Sequence, residues 1–237
     1  MTTTPNTKVD MLNGPLFMKI LIFALPLAAS SLLQQLFNSV DVAVVGRFAS
    51  SKALAAVGSN APVIGLLINL FVGISMGANV VISNHIGQRD DQSIRHTVST
   101  VAMVALISGL MLLGIGVAVS RPIHEMMDTP ADVIDMAVLY LRIYFLGIPF
   151  FLIFNFGAAI LRSMGDTRRP LYILVVAGII NTILNLIFVI CFGMGVEGVA
   201  ISTAIANAVS AACIVYILRR EPGPLQLDFK QDRKSVV

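Results

Sequence analysis

Charge is what this chain has least of. Only 12% of its 237 residues are Asp, Glu, Lys or Arg, against 57% that are hydrophobic. A soluble domain has about a quarter of its residues charged, so the polar groups needed to coat a water-facing surface are missing. Tryptophan is absent, and any aromatic belt at a membrane surface rests on Tyr and Phe. The two cysteines, Cys191 and Cys213, both lie inside apolar runs. They read as small packing residues, not as a disulfide, and say nothing about redox compartment. No phosphate-cradling loop is present, which argues against an ATP-driven pump subunit. No His-Glu-x-x-His pair occurs either, and His85, His96 and His124 are scattered along the chain. Neither a metal nor an organic cofactor is expected, and nothing calls for a nucleic-acid partner.

What the chain does have is long apolar runs, punctuated by the few charges. Six emerge, over 16–45, 61–86, 97–119, 133–161, 171–192 and 196–218. Each exceeds the roughly 20 residues needed to cross a bilayer at 1.5 Å per residue. A backbone in lipid must satisfy its own hydrogen bonds, so these runs are predicted to be helices and the fold an all-α six-helix membrane bundle. The first run is too long and starts too late for a signal peptide. Six spans put both termini on one side. That side carries Lys8, Lys19, Arg89, Arg95, Arg162, Arg168, Arg169, Arg219, Arg220, Lys230, Arg233 and Lys234. The other holds Arg47, Lys52 and Arg121, with Arg142 inside the fourth span. This asymmetry predicts a multi-pass protein of the cell (inner) membrane with cytoplasmic termini. The organisation expected is a cytoplasmic segment 1–15, a transmembrane lobe 16–218, and a tail or truncated inter-lobe linker 219–237 that opens on Pro222, Gly223 and Pro224.

Polar groups inside the spans are costly and therefore candidate sites. Asp41 is the most informative: it shares a helix face with Phe37 and Asn38, and a carboxylate there can exchange a proton, hold Na⁺ or attract a cation. The alternative is an interfacial Asp41 paired with Arg47. Asn181 and Asn185 fall one turn apart on one face of span five, either as ligands or as helix-to-helix glue. Span six offers Thr203 and Asn207 on a shared face, with Ser202 expected to bond back to its own preceding turn. In span four, Asn155 sits among Phe150, Phe151, Phe154 and Phe156, a pattern suited to a greasy cavity with a polar anchor or to packing against lipid. One of Gln34 and Gln35 is expected to face a cavity. Arg142 either snorkels outward, pairs with Asp135 or lines a wet cavity. Pro26 and Pro149 interrupt spans one and four, and Pro62 is predicted to start span two. Gly73 and Gly77 form a small-xxx-small pair suited to close helix packing. An intramembrane hydrolase has little support, because no second membrane carboxylate stands at the depth of Asp41.

An ordered series of segments resembles the multidrug and toxic compound extrusion (MATE) transporters. It comprises Gly14-Pro15-Leu16, Ala24-Leu25-Pro26, Asn38-Ser39-Val40-Asp41 through Val45-Gly46-Arg47, and Ala53-Leu54-Ala55-Ala56-Val57-Gly58. It continues with Gly73-Ile74-Ser75-Met76-Gly77-Ala78-Asn79, Gly87-Gln88-Arg89-Asp90, Tyr140-Leu141-Arg142-Ile143 through Pro149-Phe150, Leu161 through Pro170, and Gly195 through Thr203. The match runs through nearly all of 14–218. The resemblance implies one lobe of a two-lobed secondary transporter that faces its partner across a cavity and works by alternating access. It implies export of amphipathic, often cationic xenobiotics in exchange for H⁺ or Na⁺. It further implies an ion site joining Asp41 to Asn181, Asn185 and Thr203, with Asn155 nearby and Gln34, Asn38 and Phe154 toward the cavity. Some members carry Asp where this chain has Asn185. Family members have about twelve helices, so the second lobe is expected to be missing from this chain or supplied by another copy. Alternatives left open are a non-transporting fragment or membrane assembly subunit, or a lipid-linked-precursor flippase of the same superfamily.

Overall fold

The computed structural model describes residues 16–221 and 223; segment 1–15 and most of 219–237 lie outside the described residues. Six helices follow in order: α1 (Leu16–Phe48), α2 (Ser51–Gln88), α3 (Asp91–Met126), α4 (Ile134–Ser163), α5 (Arg168–Leu186) and α6 (Val196–Arg220). α5 ends in a π turn, Ile187–Cys191. No strand occurs among the described residues, and all six helices are long and apolar enough to cross a membrane.

The ends of two helices differ most from the hydropathy reading. α2 begins at Ser51 and not at residue 61, and α3 runs from Asp91 to Met126 and not from 97 to 119. Apolarity stops at the charges, but the backbone does not, because the end turns are capped. The Ser50 hydroxyl accepts from the Ala53 N–H at 3.1 Å. Asp90 accepts from the Ser93 hydroxyl at 2.7 Å and the Ser93 N–H at 3.0 Å, bonds that hold its carboxyl below the usual carboxylate range. Between them, Arg89 turns the chain in the left-handed region at φ 56°. At 38 residues, α2 is about 57 Å long, nearly twice the ~30 Å hydrocarbon core. Pro62 therefore lies inside α2 and does not start it.

α4 is the pillar. Of its most apolar stretch 61% is buried inside the protein, against 6% for α1. α4 packs chiefly on α6, α3 and α2, while α5 leans on α6 and α1 leans mainly on α5. Lipid tails are as apolar as leucine, so close approach and polar contacts hold such helices together more than hydrophobic transfer does. Gly116 illustrates the closeness: a Cβ there would sit 2.2 Å from Cδ1 of Phe145 on α4. A buried polar chain adds to it. Asn60, fully buried, donates to the carbonyls of Ala56 at 2.7 Å and Ala137 at 3.1 Å. Its Oδ1 meets His124 Nε2 at 3.1 Å, and His124 Nδ1 meets the Thr129 hydroxyl at 3.2 Å. Histidine 124 thus joins α2 to the α3–α4 connection from inside a helix.

The outer faces carry Leu32, Leu66, Ile107 and Val176, large apolar side chains turned away from the protein. Gly73 and Gly77 also face outward, with no atom of another helix within 4 Å of where a Cβ would stand. They pack nothing within this bundle, contrary to the small-xxx-small expectation. The string Gly73-Ile74-Ser75-Met76-Gly77 has the spacing of a hydrolase nucleophile elbow, but it lies mid-helix and the Ser75 hydroxyl donates to the Val72 carbonyl at 2.8 Å. No strand-to-helix turn exists there, so that spacing is coincidental.

Charges sit at the two ends. Arg89, Arg95, Arg162, Arg168, Arg169, Arg219 and Arg220 gather where α1 begins and α6 finishes. Arg169 bridges Asp166 and, at 2.6 Å, Glu221, tying the α4–α5 turn to the end of α6. At the opposite end Lys52 pairs with Asp132 at 3.1 Å and depresses its carboxyl. Asp135 pairs with Arg121 at 3.4 Å, so the alternative partner Arg142 stays exposed on α4.

Candidate functional site

α1 and α5 meet at a carboxylate. Asp41 is only 8% exposed although it pairs with no cation among the described residues. Asn185 donates its Nδ2 hydrogens to Asp41 Oδ1 and, at 3.3 Å, to Asn181 Oδ1. Asn181 donates in turn to Thr203 Oγ1 at 3.3 Å. The Thr203 hydroxyl has one hydrogen and two acceptors: the Val199 carbonyl at 3.0 Å and Asp41 Oδ2 at 3.4 Å. The Val199 bond is the better one by length. Asn185 is accordingly the principal partner of Asp41, and Arg47, the interfacial alternative, is not. Among the described residues Asn185 Oδ1 is buried with no hydrogen-bond partner. Immediately beyond, α5 loosens into its π turn, a feature frequent at functional sites.

The carboxylate opens onto a cleft of about 340 Å³. Its walls come from five helices. α1 gives Ser31, Gln34, Gln35, Phe37, Asn38 and Asp41; α2 gives Ile68, Asn69 and Val72; α4 gives Tyr144, Phe151 and Phe154. α5 contributes Leu174, Ala177, Gly178 and Asn181, and α6 contributes Thr203, Ala206, Asn207 and Ser210. Small-molecule sites are of this size and character: apolar and aromatic surface with a few fixed polar groups. Asp41 is the only charged side chain among these lining residues.

A family model described as MatE matches residues 26–187. The chain belongs to the MatE family. It is 31% identical over 226 residues to the probable multidrug resistance protein YoeA of Bacillus subtilis (strain 168), a match covering 91% of this chain and 49% of that one. It is 28% identical over 206 residues to the probable multidrug resistance protein NorM of Thermotoga maritima, covering 84% and 44%. Among solved structures, a MATE protein in its bent conformation superposes with a TM-score of 0.87 at 25% identity, covering 97% of this chain and 51% of that chain. The chain spans about half the length of the curated relatives it matches.

Within this MatE chain, Asp41, Asn181, Asn185 and Thr203 converge as one hydrogen-bonded group. Gln34, Gln35, Asn38 and Phe154 line the cleft. Asn155 does not: it is buried elsewhere on α4, donating to the Phe151 carbonyl one turn back at 2.9 Å. Ser202 bonds back to Gly198 at 2.7 Å, as its residue type predicts. Asn69 and Tyr144 were not singled out from sequence. Asn69 interrupts an apolar run, which is the same signal that marks Asn181. Tyr144 gives none, since a tyrosine in a membrane helix is ordinary.

Proposed function

We propose that this chain is one six-helix lobe of a secondary active antiporter that exports amphipathic, often cationic organic compounds by alternating access in exchange for protons. The observation carrying this reading is Asp41, a buried carboxylate held by an amide at the wall of an aromatic and amide-lined cleft, with no ion-pair partner among the described residues. The multidrug names of YoeA and NorM support the substrate class. The coverage of about half of each relative supports a second lobe across the cleft. The basic end of the bundle supports cytoplasmic termini.

Protonation changes what Asp41 does. An ionised carboxylate only accepts, whereas a protonated one donates from one oxygen. The Asn185 amide, now donating to Asp41, then opposes a donor. Turning it over presents the partnerless Oδ1 to the new O–H, so two arrangements of one group track one proton. A sodium ion would need several oxygens at this point, where Asn185 directs N–H groups unless its amide turns over. A proton is the better fit.

In the full-length protein, Asp41→Asn is expected to reduce efflux of a cationic dye to background while leaving membrane insertion intact. Efflux is followed by fluorescence from cells or vesicles under separately imposed proton and sodium gradients. Wild-type efflux driven by sodium alone rules out the proton, and undiminished efflux in Asp41→Asn removes the carboxylate from coupling altogether.

A further inference from the structure

The contact that brings α1 to α5 is the tightest made by any glycine among the described residues. Phe37 lies one turn before Asp41 on the same face of α1, and its ring rests on Gly178 of α5. A Cβ on Gly178 would fall 1.9 Å from Cε2, 2.0 Å from Cζ and 2.4 Å from Cδ2 of that ring. No side chain fits there, so the glycine is a notch and the ring fills it. Gly178 precedes Asn181 by three residues and Asn185 by seven, which stacks the notch directly beside the amides that hold Asp41. α1 has little else to grip: it is the least buried of the six helices, and α5 is its main neighbour. Phe37 and Gly178 are at the same time part of the cleft wall. An apolar molecule entering the cleft therefore meets the ring.

We infer that Phe37, seated at Gly178, is the positioning residue that keeps Asp41 within reach of Asn185, and that an amphipathic aromatic cation in the cleft releases the carboxylate by displacing the ring. The inference rests on the reading of Asp41 as the coupling group. It supplies the physical link by which substrate and proton sense each other. Coupling of this kind requires that one occupant alter the other's site, and it works equally in both directions.

The test measures binding of tetraphenylphosphonium to the purified full-length protein at pH 6 and pH 8. For the wild type the two dissociation constants are expected to differ at least about fivefold, the lower range for coupled sites. Gly178→Ala, which forces the ring out, is expected to bind the cation without distinguishing the two pH values. Damage to the cleft alone would weaken binding at both and keep the ratio. Adding Phe37→Val to Gly178→Ala removes the three ring atoms the new methyl meets and with them the group the cation displaces, so the ratio is expected to stay flat. Phe37→Ala adds no atom and cannot clash; it too is expected to flatten the ratio, and serves where Gly178→Ala fails to fold. A wild-type ratio in Gly178→Ala or Phe37→Ala, beside a flat one in Asp41→Asn, overturns the role of Phe37 and leaves Asp41 standing. A wild-type ratio in Asp41→Asn overturns both.

Discussion

Asn185 uses both hydrogens of its amide, one on Asp41 and one on Asn181, and its own buried oxygen has no partner among the described residues. That pattern gives the residue a measurable signature. Asn185→Asp replaces the donor facing Asp41 with a second carboxylate. Two carboxylates so close cannot both ionise without a cation between them, and a sodium ion finds oxygens where there were N–H groups. The variant is expected to gain sodium-dependent efflux, measured as dye transport under a sodium gradient at fixed pH. No sodium response would mean that the amide's orientation does not govern ion choice. The members of this group were legible in the sequence for one reason: a charge or amide inside an apolar run is costly and so is seldom idle. The same rule misled at Asn155. Its amide is occupied by a carbonyl on its own helix, and local capture of that kind leaves no trace in spacing.

Between elements, a buried neutral polar tie lies at the end of the bundle away from the arginine cluster. Asn60 joins α2 to α4 through Ala137 and to α3 through His124. Replacing it by Leu keeps the volume and strands His124 Nε2, while the Ala137 carbonyl keeps only the bond of its own helix. At about 1–3 kcal/mol for an unsatisfied group, Asn60→Leu is expected to lower the unfolding temperature in detergent clearly, whereas a lipid-facing Leu66→Ala is expected to leave it nearly unchanged. Equal stability of the two variants would show that the tie is dispensable. This tie was hidden because hydropathy put Asn60 in a loop. The six helices themselves were plain from apolar length. Their ends were not, since Ser50 and Asp90 cap turns that continue past the last apolar residue. The π turn at the end of α5 was equally invisible, because Ile187–Cys191 reads as ordinary apolar helix.

For the whole molecule, the distribution of charge makes the orientation testable. Lys52 and Arg95 are exposed at opposite ends of the bundle. With the native cysteines replaced, Lys52→Cys is expected to react with a membrane-impermeant maleimide on intact cells and Arg95→Cys only after permeabilisation. The reverse pattern inverts the topology. The order in which the helices are made also matters. α4, on which α2, α3 and α6 all pack, leaves the ribosome only after three helices have already reached the lipid. Until it arrives, the nascent chain holds a buried-type asparagine and histidine without the carbonyl of Ala137 to complete their bonding. Until α5 follows, α1 carries an acidic group through the bilayer with no amide to receive it. Biogenesis of this six-helix bundle therefore passes through an intermediate whose polar groups await later helices. Quality control in the membrane would meet the chain at its most vulnerable between the third helix and the fifth.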